Sequence, residues 1–325
     1  EKVNYPFGYG LSYTSFAIRN CCGRLEKAED GTQIVVEASV TNVGELAGKE
    51  VVQLYYSAPQ GRLGKPARAL GAFAKTRCLQ PGETQQVTLR LAADSMASYD
   101  DTGKIAKSAY VMEAGEYGFY LGNSVRNTEK VSFVYKEEAD RVVLALKERV
   151  APRQLAKRML ADGSFEELPV QAECKAERFP GFVEGNPPHK GHWEGDAAAN
   201  ERGADAPEKK IMLMDVVNGD ASMEEFLAQL TNGQLIDLLC GQPNTGVANT
   251  FGMGNLPEYG VPNLMTADGP AGVRIRPGLG VCTTAWPCAT LLACTWNPDL
   301  VYEIGAAGAR EMKENNLGIW LTPAM

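Results

Sequence analysis

The hydrophobic period of this 325-residue chain changes along its length, and the change separates regions that must fold differently. Residues 11–135 hold short runs that alternate apolar and polar positions, as in QIVVEASVTNV (Gln33–Val43), with turn residues between them. From Ile211 onward, apolar residues recur three or four positions apart, as Leu300 and Ile304 do. A period of two is typical of half-buried strands and one of about 3.6 of amphipathic helices, so a β region and an α/β region are predicted.

The β region contains seven predicted strands. They are Gln33–Val43, Gly48–Ser57, Ala69–Cys78, Thr84–Leu91, Ala109–Glu113, Gly115–Gly122 and Glu129–Tyr135. Turn residues such as Pro81-Gly82 separate the strands, and no helical period intervenes. Such a series favours an antiparallel β-sandwich of the immunoglobulin or fibronectin type, with the Val, Ile, Tyr and Phe side chains in its core.

The α/β region begins with helices and continues into a strand–loop–helix–strand series. The sequence predicts a helix Met223–Leu230 with a Ser222/Glu225 capping box, and a second helix near Gly233–Cys240 that Gly241 ends. A strand Leu264–Ala267 follows. A third helix, capped by Asn297, is predicted from Pro298 to about Asn315 with Gly318 as its stop, and a strand Ile319–Leu321 comes after it. This order is typical of a (β/α)8 barrel, which needs roughly 250 residues. Residues 211–325 can hold only its N-terminal part, so the predicted class is multidomain β plus α/β.

Between these regions the composition changes. Residues 136–160 mix charged and apolar residues and are predicted to hold a strand and a short helix. Residues 161–210 are rich in Gly, Pro, Glu, Lys and Ala, which is typical of either a long surface connection or a disordered linker. A connector over residues 136–210 is therefore predicted.

Composition excludes several classes of function. The net charge is −8 with no basic stripe, which argues against nucleic-acid binding, and no apolar run reaches the roughly 20 residues of a membrane span. The eight cysteines show no C-x2-C pair, and a reducing, cytoplasmic setting fits them best. Cys174, His189 and His192 lie in a hydrophilic stretch that favours solvated histidines over a metal site.

The segment ADGPAGVR, residues 267–274, combines a carboxylate, a tight turn and a guanidinium. The Asp268 carboxylate can accept hydrogen bonds from two neighbouring hydroxyls, and Arg274 can either brace that carboxylate or donate to a ligand directly. This chemistry suits a sugar ring. The same residues could also form an ordinary Asp-Gly-Pro surface turn.

Longer segments resemble glycoside hydrolase family 3, of the β-glucosidase type, in two places. The first place holds YPFGYGLSYT (residues 5–14), VTNVGELAGKEVVQLYYSAP, LGAFAKTRCLQPGETQQVTLRL and AGEYGFYLGNS; the second holds SMEEFLAQLTNGQLIDLLCG, ADGPAGVR, AWPCATLLACTWNPDLVYEIGAAGARE and GIWLTPAM. The resemblance implies the end of an α/β sandwich domain at 1–10, a fibronectin type III-like domain at 11–135, the connector, and the N-terminal part of the barrel domain at 211–325. The order matches the subgroup with permuted domains, and an internal fragment of a longer enzyme is expected.

For function, the resemblance implies an exo-acting retaining β-glucosidase that removes terminal non-reducing β-D-glucosyl residues. Such enzymes use a carboxylate nucleophile and a carboxylic acid/base, and the family draws both from segments that this chain lacks. No catalytic residue is therefore assigned, and the chain alone is expected to be inactive. Asp268 matches the aspartate that holds the 4- and 6-hydroxyls in the −1 subsite, and Arg274 matches the arginine beside it. Trp286 and Trp296 are candidates for stacking platforms or for buried barrel-wall residues.

The expected ligands are β-glucosides or short oligosaccharides, with no metal or cofactor, no nucleic acid and no membrane; homo-oligomerisation is left open. One alternative is a β-xylosidase or another family 3 glycosidase. An aspartate placed for the 4- and 6-hydroxyls favours glucose, because xylose lacks the hydroxymethyl group. Others are a non-catalytic carbohydrate-binding or adhesion protein, and an inactive relative with a structural role.

Overall fold

The computed structural model divides into two compact units, Glu1–Glu177 and Arg178–Met325. It describes residues 3–29, 31–147, 155–169, 210–276 and 278–324. The division falls inside the connector predicted at 136–210. The candidate metal residues Cys174, His189 and His192 lie outside the described residues. Within the described ranges, no cluster of three or more metal-type ligands occurs, and no helix has the length and apolar character to cross a membrane.

The first unit is built from antiparallel sheets. Its strands are β1 (Phe16–Ala28), β2 (Gly31–Asn42), β3 (Val51–Ser57), β4 (Ala69–Lys75), β5 (Thr84–Ala92), β6 (Ser98–Asp100), β7 (Ala109–Met112), β8 (Gly115–Ser124), β9 (Asn127–Glu137), β10 (Arg141–Ala145), β11 (Lys157–Met159) and β12 (Phe165–Glu167). One sheet has the order β1-β2-β5 and a second the order β4-β3-β8-β9. A third sheet has the order β10-β7-β6, and β11 pairs with β12 as a hairpin.

The core of this unit consists of side chains from the two main sheets. Ile34, Val36 and Val40 of β2 are fully buried, and they share one hydrophobic cluster with Leu54 of β3 and Phe119 of β8. Burial of each such side chain stabilises the fold by about 1.5–3 kcal/mol. All seven predicted strands are present, with ends that differ by up to three residues.

Four further strands, β1, β6, β11 and β12, were not predicted. The register of β1 shifts between Arg19 and Cys22, and Asn20 has a left-handed φ of 56°, so the alternation restarts inside the strand. The β11–β12 hairpin corrects part of the expectation of an irregular connection from residue 161, because β12 and the buried Leu168 lie beyond that point. The strand expected within 136–160 is β10; residues 148–154, where a helix could fall, lie outside the described residues.

A buried carboxylate organises the loop after β6. Asp100 is fully buried, and its two oxygens accept backbone N–H groups from Gly103, Lys104, Ile105 and Ala106 at 2.7–3.0 Å. Burial by itself raises the pKa of this carboxyl, but the four donors outweigh it and the net pKa lies below the usual value. The charged form of Asp100 is therefore part of the folded structure.

Within its described residues, the second unit contains five α-helices and three strands. They are α1 (Leu213–Asn218), α2 (Met223–Ala228), α3 (Asn232–Leu239), β13 (Gly252–Leu256), β14 (Val261–Ala267), α4 (Ala289–Ala293), α5 (Pro298–Glu314) and β15 (Ile319–Trp320). β14 pairs with β13 antiparallel and with β15 parallel. Met265 and Ala267 of β14 pack with Met312 of α5, so helix and sheet share one core.

The predicted helix starts are confirmed, and α3 and α5 end within one residue of the predicted ends, but the glycines predicted to stop them, Gly241 and Gly318, do not form the caps. Ser222 and Glu225 form the capping box of α2, and the Asn297 side chain caps α5 at the Leu300 N–H. α3 ends at an extended Cys240 and has no left-handed glycine cap. α5 ends at Glu314, and the left-handed position after it is Asn316, with φ 53°, because asparagine also tolerates this conformation.

Gly308 of α5 lies directly under the indole ring of Trp320. A Cβ built on Gly308 would lie 2.2 Å from Cζ3 of that ring, whereas one built on Gly305 of the same helix meets no atom within 4 Å. The close approach of α5 to β15 therefore requires a residue without a side chain at 308.

We expect Asp100→Asn to destabilise the first unit by about 2–5 kcal/mol, because two buried N–H donors lose their acceptor. The chain has no tryptophan before residue 193, so far-UV circular dichroism in urea should show the loss while the tryptophan fluorescence transition stays unchanged. Asp162→Asn is the matched control, since this exposed carboxylate accepts hydrogen bonds from the N–H and hydroxyl of its neighbour Ser164, and it should change little. A carboxylate with a lowered folded pKa stabilises fully above its unfolded pKa of about 3.9, so the difference between variant and parent should shrink as the pH falls below it. Unchanged stability would contradict this account.

We expect Gly308→Ala to destabilise the second unit by about 1–3 kcal/mol relative to Gly305→Ala. Both changes improve helix propensity, but only the first drives a methyl group into the ring of Trp320. Urea unfolding followed by tryptophan fluorescence measures the difference. Equal stability of the two variants would show that the ring can move away without cost.

Candidate functional site

Asp268 directly follows the buried end of β14. Met265, Thr266 and Ala267 are buried, and the last two pair with Ile319 and Trp320 of the parallel strand β15. Asp268 itself is half-buried. The predicted position, at the carboxyl end of a strand in a parallel pair, is confirmed.

The turn after Asp268 depends on two glycines. Gly269 has φ 105° and Gly272 has φ 135°, and the Gly272 N–H donates to the Gly269 carbonyl at 3.0 Å. A Cβ at Gly269 would lie 1.9 Å from the Gly272 oxygen. The Arg274 N–H closes the turn on the Asp268 carbonyl at 2.9 Å. The backbone therefore fixes where Asp268 stands relative to Arg274.

The Asp268 carboxylate contacts an amide rather than a guanidinium. Asn249 Nδ2 donates to Asp268 Oδ2 at 3.1 Å, and the Asp268 N–H donates to Asn249 Oδ1 at 3.1 Å. Asn249 was not singled out from the sequence, because it lies 19 residues away in a loop without a motif. The register of β13 on β14 is the signal that finds it. Gly252 pairs antiparallel with Met265, so Asn249, three residues before Gly252, lies opposite Asp268, three residues after Met265.

Arg274 does not brace the carboxylate. Its side chain is exposed, and among the described residues it forms no ion pair with Asp268 or with any other acid. It lines an open cavity of about 490 Å³ together with residues 269–273, Ile275, Val281 and 283–285. The bracing contact weighed from the sequence is not formed, and direct donation from Arg274 to a ligand stays a prediction.

Three donors from two further segments hold the turn through its carbonyl groups. Trp320 Nε1 donates to the Gly269 oxygen at 2.8 Å, the Trp286 N–H to Ala271 at 2.8 Å, and Thr283 Oγ1 to Val273 at 2.6 Å. Glu311 of α5 anchors the segment that carries two of these donors, because its Oε1 accepts the N–H and the hydroxyl of Thr284 at 3.0 and 2.5 Å. The turn is thus fixed from both β15 and α5.

A tryptophan side chain that contacts the turn is not one of the two candidates from the sequence. Trp286 and Trp296, the two candidate stacking residues, are both half-buried. Trp286 contacts the turn through its backbone N–H. The Trp286 indole nitrogen is buried without a hydrogen-bond partner in the described chain. Trp320, which sequence reasoning did not single out, contacts the turn through its indole N–H. The sequence feature that could have identified Trp320 is its position in the strand that follows α5.

Comparison with known proteins covers the whole chain. Residues 50–125 match the fibronectin type III-like domain family. Beta-glucosidase A of Butyrivibrio fibrisolvens is 48% identical over an alignment that covers 100% of this chain and 41% of that protein. A β-glucosidase of Ruminococcus albus is 37% identical, with 100% and 33% covered. The chain thus spans well under half the length of these relatives.

A solved structure agrees with these relatives. The β-glucosidase of Paenibacillus barengoltzii superimposes with a TM-score of 0.74 at 41% identity, over 99% of this chain and 35% of that chain. Sequence and structure match across both units, including the fibronectin type III-like domain. These similarities support assignment of the chain as a fragment of a glycoside hydrolase family 3 protein of the β-glucosidase type.

Proposed function

We propose that this chain supplies part of the sugar-binding site of an exo-acting retaining β-glucosidase. The observation that carries the proposal is the placement of Asp268 at the carboxyl end of β14, with Arg274 exposed at the adjoining cavity. Among the described residues, Asp268 Oδ1 accepts no hydrogen bond. It is available to a ligand hydroxyl, and the nearby guanidinium can donate to a ligand oxygen.

We place these residues in the N-terminal part of a (β/α)8 barrel over 211–325. Parallel strands β14 and β15, joined through α4 and α5, form the unit from which such barrels are built. Functional side chains of barrels follow the carboxyl ends of strands, as Asp268 does. The sandwich over 11–135, the end of an α/β domain at 1–10 and the connector at 136–210 complete the proposed organisation.

In this arrangement Asp268 binds the 4- and 6-hydroxyls of the terminal glucose in the −1 subsite. Cleavage itself requires two carboxyl groups about 5–5.5 Å apart, one as nucleophile and one as acid/base. We assign both to parts of the enzyme other than this chain, which matches 41% of its Butyrivibrio relative. Residues 1–325 by themselves should then be inactive, and no metal or organic cofactor takes part in the proposed reaction.

We propose β-glucosides or short oligosaccharides as the ligands and a reducing, cytoplasmic setting. The acidic net charge of −8 disfavours polyanionic partners. The seven cysteines within the described ranges are all free thiols, which supports the setting. Glucosides are favoured over xylosides, because the hydroxymethyl oxygen of glucose gives the Asp268 carboxylate a second donor.

We expect Asp268→Ala in the full-length gene product to lower kcat/KM for an aryl β-glucoside by about 10²-fold or more, because two charge-assisted hydrogen bonds to the sugar are lost. Steady-state hydrolysis with a chromogenic glucoside measures the effect. The matched control is Asp220→Ala, at an exposed aspartate of the same unit, and it should retain parental activity. Near-normal turnover by Asp268→Ala would contradict the assignment, as would a folded parent protein without glycosidase activity.

A further inference from the structure

We propose that Asn249 is a positioning residue that fixes the Asp268 carboxylate and, through it, the preference for glucosides over xylosides. The inference rests on the proposed function of Asp268 and adds a residue that touches no substrate itself. It stands on the two hydrogen bonds that join the Asn249 amide to Asp268, and on the way the chain anchors that amide.

The two hydrogen bonds determine the orientation of the amide. Asn249 Oδ1 accepts the Asp268 N–H at 3.1 Å, so the other end of the amide, Nδ2, must face the carboxylate, where it donates to Oδ2 at 3.1 Å. A flipped amide would place an NH2 group against an N–H donor and an oxygen against a carboxylate oxygen. The contact is therefore a fixed donor aimed at one carboxylate oxygen.

The segment 247–249 contacts both ends of the turn that begins at Asp268. Its neighbour Ala248 is fully buried and forms a bridge with Ile275, and the Arg276 N–H donates to the Val247 carbonyl at 3.0 Å. Asn249 meets Asp268 at the start of the turn, while residues 247 and 248 meet its end. The loop that carries the amide thus holds the same turn that the amide orients.

The contact constrains a bond that is otherwise soft. Rotation of an aspartate carboxylate about χ2 is broad and nearly two-fold, so an unrestrained Asp268 would present its oxygens over a wide range of angles. The hydrogen bond from Asn249 to Oδ2 fixes the plane of the carboxylate, and Oδ1 faces a ligand in that fixed orientation. A carboxylate that must meet two hydroxyls at once depends on this plane more than one that meets a single hydroxyl.

This difference gives the substrate dependence. A glucoside offers both the 4- and the 6-hydroxyl, whereas a xyloside has no hydroxymethyl group. We expect Asn249→Ala to lower kcat/KM for an aryl β-glucoside about 10-fold, with a clearly smaller loss for the matching β-xyloside. The ratio of glucoside to xyloside activity should fall. An unchanged ratio would overturn the assignment of specificity.

A double-mutant cycle in the full-length gene product separates positioning from general support. If Asn249 acts through Asp268, Asn249→Ala should have no further effect in the Asp268→Ala background. Losses that add in the double variant would overturn the proposal. Parental activity of Asp268→Ala would instead refute the proposed function, so the two failures can be told apart. Asn244→Ala is the control for loop support, because Asn244 Nδ2 binds the Ala248 carbonyl at 3.2 Å without reaching Asp268.

An isosteric variant provides a second test with a pH signature. Asn249→Asp keeps the size of the side chain, but the new carboxyl can donate to Asp268 only when it is protonated. Two carboxyl groups at this distance hold one proton tightly, so activity relative to the parent should recover as the pH falls below about 5. A pH profile parallel to that of the parent would overturn the proposal.

Discussion

The parallel pairing of β14 with β15 is the constraint on which the candidate site depends. The Gly318 N–H binds the Met265 carbonyl at 2.9 Å and the Leu321 N–H binds the Ala267 carbonyl at 2.8 Å, so the strands end together. Asp268 therefore leaves the sheet at a fixed point, and Trp320 reaches the Gly269 carbonyl from the next strand. Without this pair of strands, neither the position of Asp268 nor the hydrogen bond from Trp320 to the Gly269 carbonyl would be fixed.

The turn is stabilised largely by neutral groups, and this affects what Asp268 can do. A guanidinium bound to Asp268 would occupy carboxylate lone pairs and neutralise the charge. The Asn249 amide takes one position on Oδ2 and leaves the negative charge in place. Arg274 is exposed and lines the cavity. The protein thus keeps an anion and a cation a few residues apart without pairing them, which suits groups that serve a polar ligand.

Local pattern predicted seven strands of the first unit, the helices α2, α3 and α5, and the position of Asp268, since these depend on neighbours in sequence. Alternation revealed β2 and β5, and capping residues revealed the starts of α2 and α5. The pattern failed where tertiary contacts decide: β1 restarts at a bulge, and β13, with the sequence GMGNL, has almost no apolar alternation. Asn249 and Trp320 were missed because each reaches the turn through strand pairing, across 19 and 51 residues.

The contact between Gly308 and Trp320 has a consequence for how such sequences vary. The ring fills the space that a methyl group at 308 would need, so the two positions share a fixed volume. A homologue with a side chain at the helix position is expected to carry a smaller residue at the strand position. It would then lose the indole N–H that holds the Gly269 carbonyl. Paired exchange at these two positions would therefore mark relatives that support the turn by another donor.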